Sequence, residues 1–120
     1  MIGLAYIKYP LLTEDEVKTL VVNNKWMQTI EAAVKGEIDP ITGFVIDMKV
    51  LKDLIRTEIE DAFDHKNLNE EVPEFKTLNP TSENIVVVIW NKLHAKIDKK
   101  NKLSVTLYET PRNFVSYSGE

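Results

Sequence analysis

The sequence predicts an α+β fold, a four-stranded antiparallel sheet with two helices on one face, in the order strand, strand, helix, helix, strand, strand. Three observations carry this prediction. Apolar residues alternate with period two over Met27–Val34 and again over Leu103–Tyr108. From Asp47 the apolar period changes to three and four residues. Near Thr81 a second capped segment begins, reading Thr81-Ser82-Glu83-Asn84.

The first strand is expected over Ile2, Leu4, Tyr6 and Ile7, stopping at Pro10 because proline has no N–H for a ladder bond. Thr13–Val22 opens with Thr13 followed by Glu14, Asp15 and Glu16, the signature of a capped first turn, and reads as a short helix or an irregular loop. In the second strand Ile30, Ala32 and Val34 share one face, and Thr29, Glu31 and Ala33 the other. Gly36 to Gly43 is dense in turn residues, after which Phe44, Val45 and Ile46 are expected to resume extended structure, as a hairpin partner or as a strand continued past a bulge. The first helix, capped by Asp47, turns Met48, Leu51, Leu54, Ile55, Ile59, Ala62 and Phe63 inward. A polar loop from Asp64 to Pro80 leads to the second helix, which buries Ile85, Val86, Ile89, Trp90 and Leu93. Its β-branched run would suit a strand, and the cap with the Trp90/Leu93 continuation decides for helix. Leu103, Val105 and Leu107 then alternate with Ser104, Thr106 and Tyr108, and Phe114 to Tyr117 closes a hairpin after Pro111-Arg112-Asn113. Such a sheet has two open edges, which favour an oligomer built by sheet closure.

Composition bounds the chemistry. In 120 residues, 43% are hydrophobic and 28% charged, which describes an ordinary globular chain, and no repeat or linker divides it, so residues 1–120 are read as a single domain. The absence of cysteine excludes disulfides, thiolate nucleophiles and cysteine-type zinc sites within these residues, and fits a cytoplasmic location. A net charge of −4 disfavours nucleic acid and anionic lipid, and the lysine-rich stretch Lys96–Lys102 reads as a solvated turn. No apolar run approaches the roughly 20 residues of a bilayer span, and no signal peptide is evident. The expected partners are therefore neither nucleic acid nor membrane.

Three polar residues stand where chemistry is usually mounted. His65 follows Asp64 at the end of the first helix, where a neighbouring carboxylate can fix an imidazole tautomer; the alternative is an exposed histidine beside a surface acid. His94 lies on the second helix among lysines and is expected to face solvent. Glu109 ends a strand in Tyr108-Glu109-Thr110 and is expected on the face opposite Leu107. There its carboxylate can accept two parallel hydrogen bonds from a planar ligand with adjacent N–H donors, or form a cross-strand salt bridge. Trp26 and Trp90 read as core or interface anchors. No G-x-G-x-x-G, P-loop, G-x-S-x-G or H-E-x-x-H motif occurs.

Gly36-Glu37-Ile38-Asp39-Pro40, Thr42-Gly43, Asp64-His65-Lys66-Asn67-Leu68, Val72-Pro73, Thr81-Ser82-Glu83-Asn84, Tyr108-Glu109-Thr110 and Gly119-Glu120 fall in the order and spacing of one family. The segment Val34 to Glu120 resembles the 6-pyruvoyl-tetrahydropterin synthases and their relatives that make 6-carboxytetrahydropterin. The resemblance implies the tunnelling fold, with sheets joined through their edges into a barrel, as a trimer or hexamer with sites between subunits. It also implies a pterin substrate, 7,8-dihydroneopterin triphosphate, from which triphosphate is eliminated with the help of a zinc ion on three histidines, a cysteine, and an Asp-His pair. By motif, Asp64 and His65 match the relay pair, Glu109 the glutamate that grips the pterin ring, and Thr81 and Ser82 the hydroxyl residues lining the pterin pocket.

The chain departs from that pattern in residues 1–26. The family needs four histidines and a cysteine, whereas this chain has 2 histidines and no cysteine. Asn23-Asn24-Lys25-Trp26-Met27-Gln28 stands where the family carries His-Gly-His, no histidine falls among Ala5 to Leu12, and Val21 or Val22 stands near the cysteine's place. Asparagine, lysine and valine do not rebuild a neutral three-nitrogen zinc site, so no cofactor is expected for this chain. Glu14 or Glu16 is a candidate substitute base, since some family variants use glutamate for the cysteine. Three functions are in view: a pterin-synthesis lyase with its N-terminal third remodelled, truncated or engineered; a non-catalytic pterin binder; and an oligomerising scaffold without ligand. Reduced or absent elimination activity is the expectation for this chain.

Overall fold

Alternation along Thr29–Glu37 decides the centre of the sheet. Ile30, Ala32, Val34 and Gly36 all point to one side and are buried, while Lys35 and Glu37 are exposed, so this strand has one face packed and one open. In the computed structural model of the chain, that strand is flanked on both edges. The structure describes residues 1–10, 21–22, 25–26, 29–63, 73–75, 77–78 and 81–119, with only the backbone for residues 21, 22, 25, 26 and 74. Its strands are β1 (Ile2–Pro10), β2 (Val21–Val22), β3 (Lys25–Trp26), β4 (Thr29–Glu37), β5 (Lys102–Tyr108) and β6 (Phe114–Tyr117). The main sheet runs β1-β4-β5-β6, every pair antiparallel, and β2 with β3 forms a separate two-stranded ribbon. The expected sheet and its two open edges, β1 and β6, are therefore present.

Two expectations about extended and helical segments before α1 are corrected. Val21–Val22 is extended, not helical, and the rest of Thr13–Val22 lies outside the described residues. Phe44–Ile46 does not form a strand, because β1 and β5 already occupy both edges of β4. The turn that precedes it folds back instead. Asp39 Oδ1 accepts from the amides of Ile41 (2.7 Å) and Thr42 (3.1 Å), Gly43 N–H donates to Asp39 O (2.7 Å), and Gly43 takes φ 82°. This lays Val45 against Gly3 and Gly36 at one end of the sheet.

The helices cover the buried face. α1 (Met48–Ile55) is capped by Asp47, whose Oδ1 accepts from Lys49 N–H at 2.8 Å, and runs without interruption through a π-helical Arg56–Glu60 into α2 (Asp61–Phe63). The wider turn has a sequence cause. Leu51, Ile55, Ile59 and Phe63 recur every fourth residue, and in a regular α-helix such a row drifts by about 40° per step. The π turn offsets that drift, and all four side chains are at most 1% exposed. Met48, expected inward, is 41% exposed because it precedes the first turn that reaches the sheet.

α3 (Ser82–His94) is capped by Thr81, whose Oγ1 accepts from Asn84 N–H at 3.2 Å. Ile85, Val86, Val88, Ile89 and Leu93 bury against Leu103, Val105 and Leu107 and against the first helix, so packing outweighs the strand propensity of the β-branched run. Trp90 Nε1 donates to Leu103 O (2.8 Å), satisfying a carbonyl beyond the stretch Val105–Tyr108 that β6 pairs with. His94 does not simply face solvent: its ring stacks on Trp90 at 4.2 Å and Lys99 Nζ donates to its carbonyl at 3.0 Å. Lys96, Lys99 and Lys100 are exposed, as a solvated turn requires.

Gly119 has φ 92°, and a Cβ there would lie 2.6 Å from the Trp90 ring. Gly119→Ala is therefore expected to displace the segment after Tyr117 from Trp90 and to cost about 1–2 kcal/mol for the left-handed conformation. A denaturant titration followed by tryptophan fluorescence checks this, and an unchanged midpoint and spectrum would contradict it.

Candidate functional site

The two helices run in opposite directions over the sheet, and this sets which residues meet. The continuous helical stretch Met48–Phe63 starts beside the Gly3 and Gly36 end and carries Glu60 at the other, where Tyr9 Oη donates to Glu60 Oε2 at 2.5 Å. Tyr9, Ile30, Leu107 and Val115 form one cross-strand row at this end. α3 begins here and ends beside Leu103 and the lysine-rich turn. The sheet end formed by the start of β4, the end of β5 and the start of β6 therefore also holds Thr81 and Ser82 and the terminus of α2.

A cleft of about 450 Å³ opens there, lined by Ser82, Glu83, Leu107, Glu109, Arg112 and Asn113, with Phe114 and Val115 at its β6 side. Its size suits a small ligand. Ser82 and Glu109, widely separated in sequence, are brought together. Glu109 does not lie opposite Leu107: residues two apart in extended chain share a side, and both line this cleft. Thr81 does a different job from Ser82, since its hydroxyl caps α3 and so fixes where Ser82 stands. Asp64 and His65 lie outside the described residues, as do Glu14 and Glu16. Phe63, directly before Asp64, is anchored at this end by its edge-to-face contact with Phe75, ring centroids 6.2 Å apart.

The turn that carries the β5 side of the cleft is tightly bound. Glu109 and Thr110 N–H both donate to Asn113 O (2.9 and 3.2 Å), while Thr110 Oγ1 accepts from Arg112 N–H (3.3 Å) and Asn113 N–H (3.0 Å). Pro111-Arg112-Asn113, a turn by its sequence, also supplies Arg112 and Asn113 to the cleft lining, which its turn chemistry alone does not indicate. The signal available was the arginine's position three residues from Glu109 within one tight connection.

On the open face of the sheet, Glu31 gathers Lys8 (3.7 Å), Tyr108 Oη (3.3 Å) and Tyr6. The hydrogen bond to Glu31 pushes the Tyr6 hydroxyl up to about 12. Tyr9, 8% exposed, is raised further, first by burial and then by its bond to Glu60. Native Tyr9 keeps its proton at pH values where the unfolded chain, titrating near pH 10, has released it, so stability is full below about pH 10 and falls as pH rises above it. Tyr9→Phe should flatten that alkaline decline and, by leaving Glu60 without its donor, cost about 1–3 kcal/mol at neutral pH. Denaturant titrations at pH 7 and at alkaline pH check both parts.

Among the described residues no group of three or more His, Cys, Asp or Glu is arranged to hold a metal ion. The donor count matters more: the 120 residues hold 2 histidines and no cysteine, so a three-histidine site plus a relay histidine does not fit this chain. No described helix is long and apolar enough to cross a membrane.

Residues 27–120 match the family model described as 6-pyruvoyl tetrahydropterin synthase, a match that begins before Val34 and omits residues 1–26. The chain is 40% identical over 92 residues to a 6-pyruvoyl tetrahydrobiopterin synthase of Drosophila melanogaster, covering 76% of this chain and 55% of that protein. Thus the chain spans little more than half of that relative. A 6-carboxy-5,6,7,8-tetrahydropterin synthase of Rickettsia conorii is 30% identical over 104 residues, covering 72% of this chain and 75% of that one. The solved 6-pyruvoyl tetrahydropterin synthase of Caenorhabditis elegans superposes with a TM-score of 0.71 at 28% identity, covering 100% of this chain and 94% of that one.

Proposed function

The chain belongs to the 6-pyruvoyl tetrahydropterin synthase family, and from that membership we propose that the Ser82–Glu109 cleft binds a pterin while triphosphate elimination is reduced or absent. The observation that carries the binding half is the meeting of Ser82 and Glu109 across one 450 Å³ cleft. A pterin ring presents N3–H and a 2-amino group side by side, and the Glu109 carboxylate accepts both in parallel. The Ser82 hydroxyl supplies a further donor or acceptor from the start of α3, and Thr81 positions it. Asp64 and His65 are proposed as the proton-relay pair of the family reaction, with the aspartate holding the imidazole's tautomer.

The reduced activity follows from the donor set. Lewis-acid polarisation of a substrate oxygen contributes several kcal/mol to a transition state, and each ~1.4 kcal/mol is about tenfold in rate. These 120 residues supply no three-histidine set for it, so no step is assigned to zinc here. We propose that copies of the single domain 1–120 join through the β1 and β6 edges, and that the protein works in the cytoplasm.

Neopterin titration, zinc stoichiometry on purified protein and an assay of triphosphate release test the reading together. Saturable neopterin binding with substoichiometric zinc and little release is the expected result. Stoichiometric, chelator-sensitive zinc with triphosphate release would refute the reduced-activity half, and absence of neopterin binding would refute the pocket. A monomer by size-exclusion chromatography with light scattering would refute the assembly.

A further inference from the structure

At the end of the sheet away from the Ser82–Glu109 cleft, β6 pairs with β5 only as far as Tyr117 and Val105, and the chain then turns aside to lay Gly119 against the Trp90 ring. A cavity of about 490 Å³ lies beside the uncovered start of β5. Trp90, His94, Lys99, Lys102, Ser104 and Ser118 line it, and none of its described lining residues is acidic. The chain as a whole carries a net charge of −4, so this is a local reversal of sign. Among the described residues neither lysine has a carboxylate within ion-pair distance. The donors are also held in place. Lys99 Nζ donates to His94 O at 3.0 Å and lies 3.3 Å from His94 Nδ1. An ammonium has no lone pair, so Nδ1 is the acceptor and the neutral ring carries its proton on Nε2, as a donor. The ring itself is stacked on Trp90, centroids 4.2 Å apart. The bond to His94 O further offsets the partial negative charge that the end of α3 would turn on an anion. Asn101 braces the turn between the two lysines: its N–H donates to Asp98 O at 3.0 Å, and its side chain fills the space that a Cβ on Gly36 would take.

We infer that this cavity binds a phosphate-type oxyanion, either the free ion or a phosphate monoester. Two ammonium groups match a dianion in charge. Lysine meets phosphate as a point charge, whereas a carboxylate is matched best by the planar fork of an arginine, which the described lining lacks. Two of the three Lys99 N–H groups face His94, which leaves one; with those of Lys102, the imidazole Nε2–H and the two serine hydroxyls, the lining has donors for several oxygens at once. Pterin binding at the other end of the sheet is not required for it.

The test is a titration of the full chain with inorganic phosphate and with glycerol phosphate at constant ionic strength, followed by tryptophan fluorescence, with acetate as the carboxylate control. Trp90 reports through the imidazole stacked on it. Saturable binding of phosphate with a Kd of about 1 mM, and no saturation by acetate, is expected. Lys99→Gln and Lys102→Gln should each weaken it about three- to fivefold. Lys96→Gln removes the same charge from an exposed position in the same lysine-rich stretch, outside the cavity lining, and should leave it unchanged. Binding of glycerol phosphate would identify a phosphorylated molecule as the ligand, and its exclusion the free ion; both support the site. Equal losses in Lys96→Gln and Lys102→Gln, loss of binding in Arg112→Ala, saturation by acetate at the same affinity, or no saturable response to either phosphate would overturn it. Circular dichroism melts confirm that the variants fold, and the exposed Lys102 keeps the test readable if Lys99→Gln does not.

Discussion

Glu109→Ala is expected to weaken neopterin binding by about a hundredfold, the largest single effect in the cleft. Each charge-assisted hydrogen bond contributes about 1.5–3 kcal/mol, and a carboxylate facing the pterin edge makes two at once. Partial exposure of Glu109 discounts the sum to about 3 kcal/mol, which is about a hundredfold in Kd. Glu109→Gln discriminates mechanism from shape. Its amide keeps the volume but turns one acceptor into a donor facing a donor, so it should recover little of the loss. Fluorescence titration measures both, and binding that survives Glu109→Ala would remove the cleft from the account.

Phe63→Ala should destabilise the chain by about 3–5 kcal/mol, a large part of the 5–15 kcal/mol typical of a whole domain. Phe63 is 1% exposed, meets the Phe75 ring at 6.2 Å, and has Lys92 Nζ 5.7 Å from its ring centroid. It is also the last residue before Asp64, so a cavity there loosens the support of the proposed relay pair as well as the core. Phe63→Leu retains most of the buried volume and should cost less than about 2 kcal/mol. Denaturant unfolding of both variants checks the difference; equal, small losses would mean that the helical row from Leu51 to Phe63 is not the anchor described here.

The elements were legible where their cause is local. Asp47 and Thr81 cap helices where their side chains predict it, and Ile30, Ala32 and Val34 bury as their alternation requires. Phe44–Ile46 misled because its residues favour strand while both edges of β4 were already taken, a fact about β1 and β5 that no local window contains. The π turn at Arg56–Glu60 was hidden for a related reason: spacing of four fits an α-helix approximately, and only the demand of a continuous buried row shows the mismatch. His94 looked solvated until Trp90 provided a ring to stack on.

The candidate site divides along the same line. Motif spacing in the chain was sufficient for the order of the main-sheet strands and long helices and for the family, and it nominated Thr81, Ser82 and Glu109 as candidates, because periodicity, caps and short motifs are properties of neighbouring residues. The 2 histidines and absent cysteine likewise limit the donors that these 120 residues can offer a metal, whatever their arrangement in space. Which of those residues share a cavity depended on how α3 packs across β5, a matter of long-range burial. That packing brought Ser82 to Glu109 and placed Arg112 in the cleft beside them, whereas the Thr81 cap and the shared side of Leu107 and Glu109 follow from local rules.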